Sequence, residues 1–276
     1  MRLFNKVAII GVGLIGGSIA LALKNKKLVN EVIGVSRHKK SLVLAKKRGA
    51  IDRGSQSLDI VNDADLVIFA TPVKTIINLA PMISKIISKN CIVTDVGSTK
   101  KEIVSKLEKI FPNFLGSHPL AGSEKRSIIN AEPDMFNGTQ CILTPTKRTT
   151  SKALNKIKAL WANLGANVIM LSPETHDKIL SFTSHLPHVA AFSLIGIVPK
   201  EYLKFASTGL KDTTRIATSD PKLWVDILLT NRQNLVKDIG LLQNKLSKIK
   251  KALQKKDNNL LHLILKQAKE KRDSLG

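Results

Sequence analysis

The segment VAIIGVGLIGGSIALAL, residues 7–23, carries the clearest structural signal in the sequence. Residues 7–11 form a short β-branched apolar run that ends in glycine, which predicts a buried parallel strand. Residues 14–23 are small and apolar and predict a helix that packs closely against a sheet. The glycines between them form a Gly-x-Gly-x-x-Gly pattern, and a strand before it with a helix after it is the context typical of a dinucleotide-binding turn.

Each glycine of this pattern has a separate expected role. Gly11 allows the tight turn, Gly13 lets the backbone approach a pyrophosphate, and Gly16 lets the helix pack closely on the strand. The phosphates are expected at the helix N-terminus, where backbone N–H groups are free to bind anions.

Strand-like and helix-like segments alternate after this turn. Further strands are predicted at residues 32–35, 66–70, 91–95, 114–116, 141–144 and 167–171, with helices at 42–48, 76–87 and 151–164. The alternation predicts an α/β fold with a doubly wound, Rossmann-type parallel sheet over residues 1–171. From Pro173 to Lys271 the patterns are helical without a strand pattern, so residues 172–276 are predicted to form an all-helical domain.

The end of the second predicted strand bears on the choice of cofactor. NAD-specific sites usually place an acidic residue there to bind the ribose 2′-hydroxyl, but residues 34–40 read GVSRHKK and contain none. Ser36 and Arg37 favour a 2′-phosphate, and therefore NADP over NAD, since a guanidinium matches phosphate geometry. The alternative is that Arg37 belongs to the basic start of the next helix. The expected cofactor contacts are Gly11, Gly13, Leu14, Ile15, Gly16, Ser36, Arg37 and Thr71.

The composition limits the classes of partner. The formal net charge is +23, but the basic residues are mostly lysines spread along the chain, and aromatic residues make up only 4%. Too few aromatics are present for a base-stacking platform, so we expect anionic substrates rather than nucleic acid. No stretch reaches the roughly 18–20 apolar residues of a membrane span, and no signal peptide is recognisable. Cys91 and Cys141 lie in apolar runs and are expected to be buried thiols, which fits a cytoplasmic protein.

Two candidate catalytic residues follow predicted strands. His118 lies in LGSHPLAG, residues 115–122, just after a strand and before a proline-stiffened loop. That position is the carboxyl edge of the sheet, where open α/β folds bind ligands, and a histidine can act as a base near neutral pH. Residues 99–102 read TKKE and predict a capping box for the next helix, which leaves Ser98 to point into the cleft.

The helical half contributes further candidates. His185 and His188 are three residues apart in SHLPH and would share one face of a helix. No third ligand stands at an obvious spacing, so no metal site is expected. Arg215, in the polar segment LKDTTRIA, can bind a carboxylate in a bidentate manner; the alternative is a surface salt bridge.

Together these segments resemble the prephenate/arogenate dehydrogenase family of tyrosine biosynthesis. The matching segments are GVGLIGGS at 11–18, ATPV at 70–73, DVGSTK at 95–100, GSHPLAGSE at 116–124, SHLPH at 184–188 and LKDTTRIATSDPKLW at 210–224. Their order and spacing cover nearly the whole chain, and the last three are more specific than the glycine turn.

The resemblance implies NAD(P)-dependent oxidative decarboxylation of prephenate to 4-hydroxyphenylpyruvate, or of arogenate to tyrosine. It implies that His118 takes the proton of the substrate's ring hydroxyl and that Ser98 helps to hold this histidine and the substrate. Arg215 is implied to bind a substrate carboxylate, with His185 and His188 lining the same pocket. The helical domain of the family forms a homodimer.

Two other functions stay open on the sequence. One is another two-domain NAD(P)-dependent hydroxyacid dehydrogenase, which would use a catalytic lysine on a helix of the C-terminal domain and does not account for His118, SHLPH and Arg215. The other is a cofactor-binding sensor without catalysis, which would keep the glycine turn but has no need of Ser98, His118 and Arg215 together.

Overall fold

The computed structural model describes residues 2–122 and 127–275. The chain forms two compact units, residues 1–231 and residues 232–276. The junction expected near residue 171 lies within the first unit, where the last strand gives way to helices. The last two residues of the segment 116–124, Ser123 and Glu124, lie outside the described residues.

A single sheet dominates the first unit. Its strands are β1 Phe4–Ile10, β2 Val29–Val35, β3 Arg53–Ser55, β4 Leu66–Phe69, β5 Ile92–Asp95, β6 Phe114–Pro119, β7 Gln140–Thr144 and β8 Asn167–Met170. The strand order is β3-β2-β1-β4-β5-β6-β7-β8. All neighbouring strands are parallel except β6 and β7, which run antiparallel. The Rossmann-type α/β fold is confirmed, with this reversal as the departure from a wholly parallel sheet.

The first strand shows how both faces of the sheet are covered. Val7 and Ile9 belong to one hydrophobic cluster, and Ala8 and Ile10 belong to another. Successive side chains of a strand point to opposite faces, so an unbroken apolar run is what a strand buried on both sides requires. The carboxyl ends of the six mutually parallel strands, β1 to β6, thereby lie at one edge of the sheet.

Helices cover the two faces of the sheet and continue after β8. Those between the strands are α1 Leu14–Asn25, α2 Lys39–Lys47, α3 Val73–Ile83, α4 Lys101–Leu107 and α5 Ser151–Asn163; those after it are α6 Pro173–Leu180, α7 Leu186–Gly196, α8 Thr208–Thr214 and α9 Pro221–Thr230. A π-helical turn, Ser181–His185, joins α6 to α7. Pro187 at the start of α7 has no N–H to donate, which is consistent with wider hydrogen-bond spacing at this point.

The run from α6 to α7, Pro173–Gly196, is long and apolar enough to cross a membrane when judged by length and composition. The sequence alone had not predicted such a segment. It arises because no Asp, Glu, Lys or Arg stands between Lys178 and Lys200, although polar Ser, Thr and His interrupt the apolar residues. The same test is passed by core helices of soluble proteins.

The second unit consists of two helices, α10 Arg232–Lys255 and α11 Asn258–Asp273. Asp257 caps α11 by accepting a hydrogen bond from the N–H of Leu260. Several leucines on these helices are exposed, among them Leu246 and Leu253. Both predicted thiols, Cys91 and Cys141, are buried and unpaired in the first unit.

Candidate active site

A cavity of about 980 Å³ opens at the carboxyl ends of the first, second and fourth strands. The predicted cofactor contacts that line it are Gly11, Gly13, Ser36, Arg37 and Thr71. The remaining predicted contacts begin helix α1 and are not part of the lining: Leu14, Ile15 and Gly16. The sequence therefore located this cavity through residues on three separate strand ends.

The glycine turn has the geometry that its pattern predicts. Gly11 has φ of +102°, and a Cβ there would lie 2.5 Å from the carbonyl oxygen of Ala70. A Cβ on Gly16 would lie 2.1 Å from the carbonyl oxygen of Gly11 and 3.0 Å from a methyl carbon of Ile9. Gly13 differs, since a Cβ there would meet no atom within 4 Å. Gly11 and Gly16 are thus required by packing, whereas Gly13 faces open space where a ligand can approach.

Two further observations fit a dinucleotide in this cavity. Gly13 is the N-cap of α1 and provides no side-chain hydrogen bond, so the first N–H groups of the helix are available to an anion. Among the described residues, the buried hydroxyl of Thr71 is one of the few side-chain groups without a hydrogen-bond partner. A buried unpaired hydroxyl at a cavity wall is accounted for when a polar ligand pairs with it.

At the end of β2 the lining of this cavity includes an arginine and a histidine, Arg37 and His38. The Nε of Arg37 lies 3.1 Å from Nε2 of His38, and the N–H of His38 donates to the Ser36 hydroxyl at 3.2 Å. Gln56 fixes the Arg37 backbone by donating to its carbonyl oxygen at 2.8 Å. An acid also lines the cavity: Asp59, whose carboxylate accepts from the hydroxyl of a neighbouring serine. Asp59 follows β3, whose polar three-residue sequence gave no strand signal.

A second cavity, of about 580 Å³, is built from the carboxyl ends of β5 and β6 and from the helices after β8. It is lined by all of the predicted catalytic and substrate-binding residues: Ser98, His118, His185, His188 and Arg215. These residues come from four separate stretches of sequence. The expected position of His118 needs one correction, because it lies inside β6, paired with Ile142 of β7, rather than in the loop after the strand.

His118 begins a hydrogen-bonded chain that was not predicted from the sequence. Its Nδ1 lies 2.8 Å from Nε2 of His176, and Nδ1 of His176 lies 2.8 Å from a carboxylate oxygen of Asp177. His176 and Asp177 are both buried. Burial holds the pKa of His118 well below its ordinary value, and the neighbouring His176 and Lys100 act in the same direction. His118 is therefore neutral near pH 7, with Nε2 as the nitrogen that His176 does not use.

Asp177 also caps helix α4. Its two carboxylate oxygens accept hydrogen bonds from the N–H groups of Lys100, at 2.7 Å, and Lys101, at 3.0 Å. The predicted capping box at residues 99–102 is therefore wrong. The helix begins one residue later than expected, its N-cap Lys100 gives no side-chain cap, and the Thr99 hydroxyl pairs with that of Thr230 at 2.9 Å.

An ion pair is buried behind β6. Lys100 and Asp95 are fully buried and contact each other directly, and the Lys100 ammonium also donates to the carbonyl oxygen of Ser117 at 2.8 Å. The other carboxylate oxygen of Asp95 has no partner among the described residues. Burial raises the pKa of Asp95 and lowers the pKa of Lys100, while their mutual attraction opposes both shifts. The pair ties the end of β5 to the residue before His118.

His185 and His188 flank one aromatic side chain. The ring of His188 stacks on Trp224, with centroids 3.5 Å apart, and His185 meets the same indole edge-on at 6.1 Å. Nδ1 of His188 lies 2.9 Å from the carbonyl oxygen of Ser184, so it carries the proton. Burial lowers the pKa of both histidines, that of His185 to about 4.

His185 has the opposite tautomer. The side-chain amide nitrogen of Asn231 lies 2.7 Å from the carbonyl oxygen of Asp177 and 3.0 Å from Nδ1 of His185. An amide NH₂ has two hydrogens to donate, so Nδ1 of His185 accepts and its proton is on Nε2. Nε2 is thus an acceptor on His188 and a donor on His185, and both residues line the cavity.

Arg215 begins the short 3₁₀ helix that follows α8. It lines the same cavity as Asp220, the N-cap of α9, which accepts from the N–H of Lys222 at 2.6 Å. Among the described residues no cluster of three or more His, Cys, Asp or Glu could hold a metal ion. The lining of this cavity thus combines the Arg215 guanidinium, the Ser98 hydroxyl and neutral imidazoles with the carboxylate of Asp220.

The segment LSPETHDKIL, residues 171–180, contains the missed residues. The one available signal was a His-Asp pair just inside a helix start marked by Ser172 and Pro173. The local pattern does not mark this pair as a partner of His118; only the fold brings it there.

Comparison with known proteins shows the family to which the chain is similar. Residues 19–170 match the family model described as prephenate dehydrogenase, nucleotide-binding domain, and residues 172–267 match prephenate dehydrogenase, dimerization domain. Prephenate dehydrogenase of Bacillus subtilis (strain 168) is 36% identical over 281 residues, which cover 98% of this chain and 76% of that protein.

Two solved structures share the whole fold. The crystal structure of prephenate dehydrogenase from A. aeolicus in complex with hydroxyphenyl propionate and NAD+ has a TM-score of 0.94 at 36% identity, covering 99% of this chain and 98% of that one. The crystal structure of Synechocystis arogenate dehydrogenase has a TM-score of 0.84 at 28% identity, covering 98% of this chain and 100% of that one.

Proposed function

Because the chain belongs to the prephenate dehydrogenase family, we propose that the cavity bounded by Ser98, His118 and Arg215 is where its substrate is oxidised. The chain is an oxidoreductase that catalyses the NAD(P)-dependent oxidative decarboxylation of prephenate to 4-hydroxyphenylpyruvate, or of arogenate to tyrosine. The observation that carries the assignment of the site is the neutral His118, with one ring nitrogen held by His176 and the other available to the cavity.

In this proposal His118 accepts the proton of the substrate's ring hydroxyl. The hydroxyl becomes acidic only as hydride leaves the carbon that bears it, so an acceptor placed beforehand is effective. The nicotinamide, when bound, supplies the hydride acceptor. Loss of carbon dioxide from the opposite ring carbon then makes the ring aromatic, so the reaction runs in one direction. Ser98, on the turn before α4, donates a hydrogen bond that keeps the hydroxyl oxygen facing His118.

The remaining cavity residues orient the substrate. Arg215 binds a substrate carboxylate, since its planar guanidinium can form two parallel hydrogen bonds. His185 presents an N–H donor and His188 an acceptor, and Trp224 keeps both rings in place. This arrangement of fixed donors holds the reacting carbon without reorganisation at the moment of reaction.

The larger cavity holds the dinucleotide, with the pyrophosphate at the N-terminus of α1 and the hydroxyl of Thr71 as a polar contact. We assign NADP as the preferred form, because Ser36, Arg37 and His38 surround the end of β2. Asp59 on the 3₁₀ helix after β3 is the one acid in the described lining, and it is held by Ser57. An acid on that element, rather than at the end of β2, is not the usual reader of a ribose 2′-hydroxyl.

The assembly and domain organisation follow from the same family. We propose a homodimer formed through the helical part of the chain, supported by the description of the matched model as a dimerization domain and by the exposed leucines of α10 and α11. A domain boundary near residue 171 is supported by the meeting of the two matched models at residues 170 and 172. The two buried, unpaired cysteines support a cytoplasmic location.

The proposal is tested by following reduced-cofactor formation with purified protein. Prephenate, arogenate and a β-hydroxyacid are each offered with NAD and with NADP. We expect turnover of prephenate or arogenate with at least one cofactor and a preference for NADP. Cofactor binding without turnover of any of the three compounds would instead favour a cofactor-binding sensor, and turnover of a β-hydroxyacid would favour the other dehydrogenase class.

A further inference from the structure

We propose that Asp177 is the residue that positions both catalytic groups, His118 through the ring of His176 and Ser98 through the first turn of α4. The proposal rests on the function assigned above to Ser98 and His118. It adds two residues, Asp177 and His176, that do not line the cavity and that hold its reacting atoms in place.

The first branch of contacts from Asp177, which runs through His176, fixes the tautomer of His118. The carboxylate of Asp177 can only accept, so Nδ1 of His176 carries the proton of their 2.8 Å hydrogen bond. His176 is buried and neutral, so its Nε2 is a lone pair that accepts from Nδ1 of His118 at 2.8 Å. Nε2 of His118 is then the unprotonated nitrogen. An imidazole in the other tautomer would present an N–H to the substrate hydroxyl and could not take its proton.

The second branch of contacts, from Asp177 to the backbone at the start of α4, fixes the turn that carries Ser98. Both carboxylate oxygens of Asp177 accept backbone N–H groups at the start of α4, from Lys100 and Lys101. Lys100 provides no cap of its own. The carboxylate therefore takes the place of a local N-cap, and its negative charge is favourable at a helix N-terminus. Ser98 lies two residues before this anchor and depends on it for its direction.

The backbone of Asp177 is fixed as well. Its carbonyl oxygen accepts a hydrogen bond from Asn231, whose amide also donates to His185. Asp177 is thus linked to His118 through His176, to His185 through Asn231, and directly to the start of α4. A carboxylate used only for capping would not need to share an oxygen with a buried imidazole.

Two substitutions separate the branches. Asp177→Asn removes the charge and can return an N–H to His176, which favours the wrong tautomer. His176→Asn keeps a donor near the Asp177 carboxylate but is too short to reach His118, so it breaks only the first branch. Glu174→Gln, which neutralises an exposed carboxylate in the first turn of the same helix, is the matched control.

We expect kcat to fall about 10²-fold in His176→Asn and further in Asp177→Asn, which disturbs both branches, with KM for the substrate changed no more than about threefold. The direct readout is the ¹⁵N spectrum of histidine-labelled protein. In the unsubstituted protein Nδ1 of His118 is protonated and Nε2 is not; in Asp177→Asn and His176→Asn the two tautomers mix. Glu174→Gln changes neither measurement.

The spectrum decides the proposal without turnover. If His118 has the expected tautomer but no substrate is oxidised, the proposed function fails and the positioning role stands. If the His118 signals in both variants match those of the unsubstituted protein, or if kcat falls equally in Glu174→Gln, the positioning role is overturned. Loss of thermal stability with an unchanged tautomer would reduce Asp177 to a helix cap.

Discussion

The side-chain amide nitrogen of Asn231 lies 3.0 Å from Nδ1 of His185. The same nitrogen donates to the backbone carbonyl of Asp177 at 2.7 Å, which fixes the orientation of the amide. A protonated His185 would carry a hydrogen on Nδ1 that faces this donor. The contact therefore stabilises only the neutral imidazole, in agreement with a pKa lowered to about 4 by burial.

Acid should destabilise the fold from about pH 6.5 downwards. Below an unfolded-state pKa of about 6.5 the unfolded chain binds a proton at His185, whereas the folded protein does not. The free energy of unfolding therefore falls, by up to about 1.4 kcal/mol per pH unit for each such histidine. His118 and His176 shift in the same direction. Urea unfolding at pH 8, 6.5 and 5 measures the slope of the free energy of unfolding against pH. His185→Gln should flatten it, and the exposed His262→Gln should not. An equal slope in both variants would contradict the assignment.

Loss of Arg215 should weaken substrate use more than cofactor binding. In Arg215→Gln we expect kcat/KM to fall about 10²-fold, because a charge-assisted bidentate contact is lost. Arg215→Lys should recover only part of the lost kcat/KM, since an ammonium keeps the charge but lacks the planar donor geometry of a guanidinium. Steady-state kinetics with saturating cofactor measure both, and the exposed Lys211→Gln on α8 is the control. A fall no larger than that of the control would assign Arg215 to the protein surface.

Arg37 should set the preference between the two dinucleotides. Arg37→Ala is expected to raise Kd for NADPH about tenfold and to leave Kd for NADH nearly unchanged, because only NADPH carries the 2′-phosphate. Asp59→Asn, at another residue of the same lining, should not remove the preference. Fluorescence titration of each reduced cofactor against the unsubstituted protein and the two variants measures the six constants. Equal weakening of both cofactors would show that Arg37 does not read the phosphate.

Breaking the buried ion pair should be costly to the fold. Lys100→Met leaves the Asp95 carboxylate buried without its partner, which is expected to lower the free energy of unfolding by about 3–5 kcal/mol. The double variant Asp95→Asn/Lys100→Met should recover much of this loss, since no charge is left behind. Urea denaturation compares them, with the exposed Lys101→Met as control. A double variant less stable than Lys100→Met would contradict the expectation.

The sequence predicted the parts of the site that depend on local pattern. Buried strands are apolar runs, so the ends of the strands that carry Gly11, Ser36, Thr71 and Ser98 could be found from hydrophobicity and glycine alone. The residues of the cavity that contains His118 and Arg215 were predicted from separate motifs, and the fold brings these segments together. The strand β3 was missed because its polar residues, at the sheet edge, carry no hydrophobic signal.

What the sequence could not show depends on contacts between distant segments. His176 lies 58 residues after His118, and nothing in the local pattern of LSPETHDKIL marks its ring as a partner. The predicted capping box was wrong for the same reason. TKKE satisfies the local rule, but the carboxylate of Asp177 in α6 accepts the N–H groups at the helix start instead. Reversal of β7 and the π-helical turn before α7 likewise reflect tertiary packing.

The most direct test compares His118→Asn with the unsubstituted protein under saturating substrate and cofactor. Asparagine can occupy the position of Nδ1 and keep the contact with His176, but it has no group at Nε2. We expect kcat to fall about 10³-fold while Kd for the reduced cofactor, measured by fluorescence, stays within about twofold, because His118 does not line the dinucleotide cavity. Turnover in His118→Asn within about tenfold of the unsubstituted rate would contradict the account of His118 as the proton acceptor.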